Sequence, residues 1–571
     1  MSHEVSPFSI ARRPAKDRPW CAALALLALS AVLGPVTRAS AQWTDVTSGS
    51  LADPGTGYGV SWGDYDGDGD LDLCLTQYFS APQLRLFRND GGGVFTDVTA
   101  GPLTAAEPTI AALWADADND GDLDLFRSHF FEPRNVVYRN DAGAFATAAQ
   151  LSTKGSVGGA AWGDYDLDGK VDLVFVNHAG TVALFRNLGG LVFASGPLLG
   201  QASLAIWVDF DGDGDPDLHL VALQSDRLLR NDGGAFVDLG GSADSDQRGG
   251  AAWGDYDNDG DPDAYLAMVS GTNRLRRNDG AGVFTDVTVG TPLGLAGDSR
   301  DAAWVDFDND GDLDLFVVRA ASANVLFRND GGVFVNNGPS ALDGAGTRRS
   351  VAWADFDGDG DLDAFVTSDS TRGRLVRNDL GPSHWLHVDL AGVISNRAGI
   401  GARVRVKAGG TWRMQDVSGG AGISQGSLTA EFGLGSSTVA DSVEVRWPSG
   451  FVQSEVGVPG NQRIVLSESA VTAVETPPNV RARLWPPVPN PNRGVTLLRL
   501  DVASAGRVRV EVMDLQGRCV RLIADREFAP GGYDLRWDGK DSSGRSVSAG
   551  LYRIVAGTGR DRQSKSVVQL R

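Results

Sequence analysis

Disulfide chemistry is nearly absent from this chain. Its 571 residues hold three cysteines, and only Cys74 and Cys519 lie beyond residue 41. A disulfide framework is excluded, so something else must brace the fold. Long apolar runs are missing as well: Cys21–Leu33 spans 13 residues, short of the ~20 that cross a bilayer as a helix, and no later segment comes close. Positive charge is scarce, with 51 Lys+Arg against 73 Asp+Glu and a net charge of −22. Nucleic acid and anionic lipid are therefore poor partners, because binding phosphate needs a positive field. Cations and basic partners are favoured instead. Histidine is down to six residues, and the sequence has no H-E-x-x-H, phosphate-binding Walker loop or C-x-x-C.

The acid is concentrated in one region. Residues 1–41 carry a net +3 and residues 381–571 a net +7, leaving −32 on residues 42–380. At the N-terminus, Arg12, Arg13, Lys16 and Arg18 precede the apolar run, Gly34-Pro35 breaks it, and Ala39-Ser40-Ala41 offers a small-residue cleavage site. This pattern predicts a secretory signal peptide over 1–41 and a secreted or cell-surface product with no membrane span after cleavage. An uncleaved anchor is the alternative.

Residues 64–72 read DYDGDGDLD. The same nine-residue phrase returns at 116–124, 164–172, 209–217, 255–263, 306–314 and 355–363, with first Asp residues 52, 48, 45, 46, 51 and 49 positions apart. Together the seven copies hold 34 Asp and one Lys, which accounts for the whole regional deficit. Two positions before each copy stands a Trp: Trp62, Trp114, Trp162, Trp207, Trp253, Trp304 and Trp353. An Arg-Asn pair follows the first Asp by 21 to 24 residues in every unit, often before Asp-Gly or Gly-Gly, a hairpin signal. Four short strands per unit and no helical periodicity predict an all-β chain in which residues 42–380 form a seven-bladed β-propeller. Units of about 48 residues are long for the rungs of a β-solenoid, the competing architecture. The segment Trp43-Thr44-Asp45-Val46-Thr47 copies the unit-ending strand that the seventh unit lacks, so it is expected to complete the last blade.

Within each phrase Asp occupies positions 1, 3, 5 and 9, and Gly position 6. The predicted metal-site residues are Asp64, Asp66, Asp68, Asp70 and Asp72 in the first loop, and Asp116, Asp118, Asp120, Asp122 and Asp124 in the second. The third has Asp164, Asp166, Asp168, Lys170 and Asp172, and the fourth Asp209, Asp211, Asp213, Asp215 and Asp217. The fifth has Asp255, Asp257, Asp259, Asp261 and Asp263, the sixth Asp306, Asp308, Asp310, Asp312 and Asp314, and the seventh Asp355, Asp357, Asp359, Asp361 and Asp363. Alternate residues of a tight loop point inward, so the carboxylates converge, and position 7 adds its backbone carbonyl, which tolerates Lys170. All-oxygen coordination selects a hard cation, and loop flexibility favours Ca²⁺, up to seven ions, over octahedral Mg²⁺. An EF-hand needs an acid at position 12, where Leu75 and Arg127 stand in the first two loops.

This phrase, with its seven-fold recurrence, resembles the calcium loops of FG-GAP and VCBS repeats, the blade units of integrin α-like propellers. The resemblance implies Ca²⁺ ligation at positions 1, 3, 5 and 9 of every loop, with the ions bracing blades while partners bind elsewhere on the propeller. Further on, Gly399-Ile400-Gly401-Ala402, Phe432-Gly433-Leu434-Gly435, Trp447-Pro448-Ser449-Gly450 and Asn461-Gln462 resemble the UnbV/ASPIC domain, placed at 381–470, an order similar to the cartilage acidic protein family. After a Pro-bearing linker at 471–484, the phrases Pro489-Asn490-Pro491-Asn492, Trp537-Asp538-Gly539 and Ala549-Gly550-Leu551-Tyr552 resemble the FlgD-like immunoglobulin-type domain, over 485–571. Related tails act as sorting signals, but the usual Phe after Pro-Asn-Pro is missing.

Catalytic signals are few. Gly422-Ile423-Ser424-Gln425-Gly426 fits G-x-S-x-G, but that elbow needs a strand-to-helix turn and a downstream His, and the last His is His387. His129, His178 and His219 fall on or just after the second strands of three blades. The expected function is a non-enzymatic binding or adhesion scaffold for an extracellular protein or glycan. A carbohydrate-active propeller of the polysaccharide lyase kind is the alternative, which fold alone does not decide against.

Overall fold

Short Thr-, Val- and aromatic-rich segments bounded by glycine turns have nowhere to place a helix, and the chain answers with strands. The computed structural model describes residues 43–570 apart from 53–56, 79–82, 130–133, 153–156, 178–179, 223–225, 242–247, 339–340, 344–346, 382, 469–481, 485–486, 488–493, 503–505, 514–517, 530 and 559–560. Among these residues there are β-strands and three short 3-10 turns, with no α-helix. The proposed signal peptide and His178 lie outside the described residues.

Each repeat folds into four antiparallel strands. The fifth is typical: Arg248–Gly254, Asp263–Met268, Arg274–Asn278 and Phe284–Asp286 pair in sequence order. Neighbouring units pack along their first strands, except that the fourth meets the fifth through its second strand, Asp217–Val221, and Arg348–Ala354 returns to Gly57–Gly63, so the ring closes as a seven-bladed propeller. The seventh unit supplies three strands, and Trp43–Asp45 supplies the fourth. Trp43 pairs with Asn378 and Asp45 with Val376, while the Thr44 hydroxyl donates to Asp379 at 2.6 Å.

The innermost strands carry small residues because they crowd the axis. A Cβ on Gly59 would run into the carbonyls of Ile423 and Ile110, and one on Gly159 would meet Gly422 Cα at 2.7 Å. The Trp that follows points outward into the seam with the preceding blade. Trp62, Trp162, Trp207 and Trp304 donate Nε1–H to the carbonyls of Ala352, Leu113, Ala161 and Ala252 there, at 3.3–3.4 Å. Large aromatic burial of this kind is where the apolar stabilisation of the ring resides.

Residues 383–468 form a second module of two sheets. One is Ala430–Gly435, His384–Ala391 and Gln462–Ser467; the other is Thr411–Asp416, Arg403–Ala408, Val439–Arg446 and Val452–Pro459. Its core is continuous with blades 2 and 3: Phe126, Trp162 and Phe175 share one apolar cluster with Leu386, Val404 and Trp447. The last module is a sandwich with a separate core that includes Leu498, Val510, Trp537 and Ile554. Ala482–Leu484, assigned to the linker from the sequence, is an edge strand of this sandwich, pairing with Thr496–Val502 and burying Leu484 in its core.

A hairpin from the second module enters the propeller's central channel. Gly419–Gly422 pairs antiparallel with the innermost strand of blade 3, and Ser424–Gln425 pairs parallel with that of blade 1. Blade 2, between them, is held by a side chain. The Gln425 amide accepts from Trp114 N–H at 2.7 Å and donates to Trp114 C=O at 2.9 Å, copying a strand partner. Gly420 and Gly422 adopt φ of 105° and 78°, and a Cβ on Gly422 would sit 2.7 Å from Leu204 Cδ2. The G-x-S-x-G phrase is therefore the tip of a channel plug. Ser424 Oγ bonds the buried Asp301 carboxylate rather than a histidine.

Candidate metal centres

Every acidic loop joins the first strand of its blade to the second, and in all seven the position-1 Asp accepts the position-6 Gly N–H. Position 4 needs a left-handed backbone and takes residues that tolerate it: Gly67, Asn119, Gly212, Asn258, Asn309 and Gly358 have φ of 55–75°. Leu167 adopts 54° in the third loop, an exception with a steric cost of about 1 kcal/mol. Position 6 is Gly throughout, with φ from 85° to 109°.

In the fifth loop, Asp255 accepts the N–H groups of Asp259 and Gly260, both at 3.0 Å, and Asp259 accepts that of Asp261 at 3.0 Å. Asp263, at position 9, takes Asn278 N–H at 2.8 Å and Tyr256 N–H at 3.2 Å. Asp257, at position 3, is different, for its Oδ1 is buried and has no hydrogen-bond partner. The same orphan oxygen occurs on Asp66, Asp118, Asp166 and Asp357. Carboxylate oxygens of positions 1, 3 and 9 in the first four loops, and of 1, 3 and 5 in the fifth, gather within 4.8 Å of one another. An unsatisfied buried carboxylate oxygen costs free energy, and several gathered together repel, so these residues fit a cation.

The electrostatics agree. Burial, reinforced by the neighbouring carboxylates, pushes Asp116, Asp164 and Asp255 up to about 7. The same causes push Asp72, Asp217 and Asp263 up to about 8 and Asp172 to about 9. Asp306, Asp314 and Asp363 are raised well above the usual carboxylate range, by burial first. In three loops position 7 points its side chain away: Asp122, Asp215 and Asp312 accept N–H groups of Ala142, Gly233 and Gly331 in the outer hairpin, at 2.8–2.9 Å. There only the main chain of this position is left to face an ion.

The FG-GAP-like repeat family matches residues 76–126, 164–220, 209–266, 255–317 and 306–366. The ASPIC and UnbV family matches 392–473, and the FlgD Ig-like domain family 495–561. The chain carries FG-GAP repeats, an ASPIC/UnbV domain and a FlgD Ig-like domain, in that order. No curated protein matches it in sequence. Among solved structures it is similar to BBS1N in complex with ARL6DN, soaked with lead, at TM-score 0.43 and 10% identity, over 58% of this chain and 96% of that one. YCF48 bound to D1 peptide gives TM-score 0.38 and 13% identity, over 59% and 96%.

The ASPIC/UnbV domain sits on the loop face of the FG-GAP propeller. Arg413 Nε donates to Gly311 C=O at 3.0 Å, Gly433 N–H to Asp306 Oδ2 at 3.1 Å, and Arg446 Nη1 to Gly212 C=O at 2.9 Å. Position-6 glycines are needed twice over, since a Cβ on Gly169, Gly214, Gly311 or Gly360 would run into Ile394, Arg446, Arg413 or Trp385 of that domain. On the other side of the plug, a cavity of about 290 Å³ is lined by Trp207, Trp253, Trp304, Trp353, Asp301 and Glu431, with no histidine among its described lining residues. His129 pairs with Glu107, and His219 is held between Trp253 Nε1–H and Asp226. These two stand in separate blades and share no site.

The Arg-Asn pair has two roles that the sequence reading assigned only to a turn. In six blades the Arg binds the Asp two residues on, as in Arg88–Asp90 at 2.6 Å and Arg277–Asp279 at 2.7 Å. The Asn is fully buried in all seven. Asn278 Nδ2 donates to Phe210 C=O of the preceding loop at 2.8 Å and to Pro262 C=O of its own at 3.2 Å. Asn89, Asn140, Asn187, Asn231, Asn329 and Asn378 make the same step to the preceding loop, at 2.6–2.8 Å. Asn278→Ala leaves two carbonyls buried and unpaired, and a loss of about 3 kcal/mol is expected. Denaturant unfolding at fixed calcium measures it; a loss under about 1 kcal/mol contradicts the clamp.

Proposed function

We propose that this protein is a secreted or cell-surface, non-enzymatic scaffold whose acidic loops bind Ca²⁺ and whose propeller presents a binding surface to a protein or glycan partner. The observation that carries the calcium reading is the orphan Oδ1 of the position-3 Asp, buried beside two other carboxylates in loop after loop. Bound there, the ion supplies positive charge and coordination to oxygens that water does not reach. Positions 1, 3, 5 and 9 provide carboxylates, and position 7 provides its carbonyl. Calcium suits the flexible, oxygen-only set better than magnesium. The bound ion ties the first strand of a blade to its second, and through the buried Asn to the blade before.

Partner binding is assigned to the propeller face opposite the loops. The loop face is taken by the ASPIC/UnbV domain, and the channel by the plug. That plug also argues against the carbohydrate-active alternative, since Gly419–Gln425 occupies the channel along blades 1 to 3 and leaves beside it a cavity of about 290 Å³. Immobilised full-length protein, exposed to glycan arrays and extracellular protein fractions with calcium and then with chelator, tests the proposal. Calcium-dependent capture without sugar release is expected. Turnover of a polysaccharide to reducing or unsaturated ends would replace the scaffold reading with the lyase one.

A further inference from the structure

The third loop is charged unlike the others. Leu188 stands where six blades have the Asp that binds the Arg of the Arg-Asn pair. Deprived of that partner, Arg186 turns onto the loop itself. Its Nε lies 2.6 Å from Asp166 Oδ2 and its Nη2 2.9 Å from Asp168 Oδ2. Lys170, where the other loops have Asp, puts its Nζ 2.9 Å from the same Asp168 oxygen. The second Asp168 oxygen accepts Lys170 N–H at 3.2 Å. Both oxygens of the position-5 carboxylate are thus occupied. Arg377 makes only a distant version of this approach in the seventh blade, 3.8 Å from Asp357.

The charge count follows. The third nonapeptide has four carboxylates and a lysine, and Arg186 brings a second cation into contact; the other six nonapeptides each have five carboxylates and no basic residue. Ligand charge sets calcium affinity over several decades. Guanidinium and ammonium groups hydrogen-bonded to the ligand oxygens also block their approach to an ion. Asp164, Asp166 and Asp172 nonetheless keep oxygens within 4.8 Å of one another, so the loop retains its shape, and Asp166 Oδ1 stays buried without a hydrogen bond while Arg186 neutralises the carboxylate through Oδ2.

We infer that the third loop does without calcium, because Arg186 and Lys170 supply from the chain itself the positive charge that the other loops draw from the ion. This rests on the calcium reading above. It departs from the sequence expectation that Lys170 lowers the local negative charge but leaves the site intact, because the Arg186 and Lys170 side chains lie on Asp166 and Asp168.

Equilibrium dialysis against radioactive calcium compares the full-length parent with the K170D/L188D variant, which restores the common pattern and returns Arg186 to an Asp partner. The variant is expected to hold one more tightly bound ion per chain. Equal numbers in parent and variant overturn the inference while leaving the calcium reading standing; no ion in either protein overturns the calcium reading instead. A second comparison does not depend on bound metal. In chelator, R186A is expected to lower the melting temperature more than R277A, whose Arg binds Asp279 outside its loop. Equal or smaller loss in R186A overturns the inference whichever result the dialysis gives.

Discussion

Stripped of divalent cations at pH 8, the protein is expected to melt about 15 °C lower than with calcium in excess. A site held at ten times its Kd contributes about 1.4 kcal/mol, so six sites contribute roughly 8 kcal/mol. A domain of this size shifts by about 2 °C per kcal/mol. The chelated protein should also show a reversed pH dependence. Burial and mutual repulsion hold Asp72, Asp116, Asp172, Asp217 and Asp263 at about 7 to 9 in the fold, against about 3.9 in an unfolded chain. The metal-free fold therefore binds more protons than the unfolded chain across that interval. Its stability is greatest below pH 4 as far as these groups are concerned, and is lost as pH rises through 7 to 9. Scanning calorimetry in chelator should give a higher melting temperature at pH 5.5 than at pH 8.5. Added calcium should raise the value most at the higher pH, where it displaces the fewest protons. A melting temperature indifferent to chelator at pH 8 would remove the metal from the account.

Gly422→Val is expected to be the most damaging single substitution in the ASPIC/UnbV domain, at 4 kcal/mol or more. The residue sits at φ 78°, where a β-branched side chain is strained by roughly 1–2 kcal/mol. Its new Cβ would lie 2.7 Å from Leu204 Cδ2 in a packed core. Expelling the hairpin then unpairs the innermost strands of blades 1 and 3 and strips Trp114 of both Gln425 hydrogen bonds. Limited proteolysis should cut the variant within 418–427, where the parent is protected. Ser424→Ala, by contrast, removes one hydroxyl bonded to Asp301 and should leave the hairpin in place. An unaltered digestion pattern for Gly422→Val contradicts the plug.

What the sequence disclosed and what it hid follow from the range of the contacts. The loop phrase, the Trp and the position-6 Gly are local requirements repeated seven times, so spacing alone exposes them. The closing strand was legible because Trp43-Thr44-Asp45-Val46-Thr47 copies a motif whose place in the seventh unit is empty. Gln425 pairing with Trp114 spans 311 positions and occurs once, so neither period nor composition marks it. The glycines around Ser424 even imitate a nucleophile elbow, since both structures demand close backbone approach. The Asn of Arg-Asn recurs seven times, yet its partner carbonyl is 66 to 75 positions away in six cases and 267 in the first blade. Recurrence marked the residue without showing its role.

The strand at Trp43–Asp45 is synthesised before all seven units and finds its partner only in the last. Its partner, Arg374–Asn378, emerges some 330 residues later, so through most of synthesis the first blade has an open flank and the seventh does not exist. Bridging such a length costs little at equilibrium, because each doubling of a loop adds only about 0.6 kcal/mol. The penalty is temporal, since pairings so distant in sequence form slowly and leave strand edges exposed meanwhile. Blades completed early must wait as a partial arc, and whatever stabilises single blades before the circle is joined shortens the interval in which that arc can pair with a neighbour.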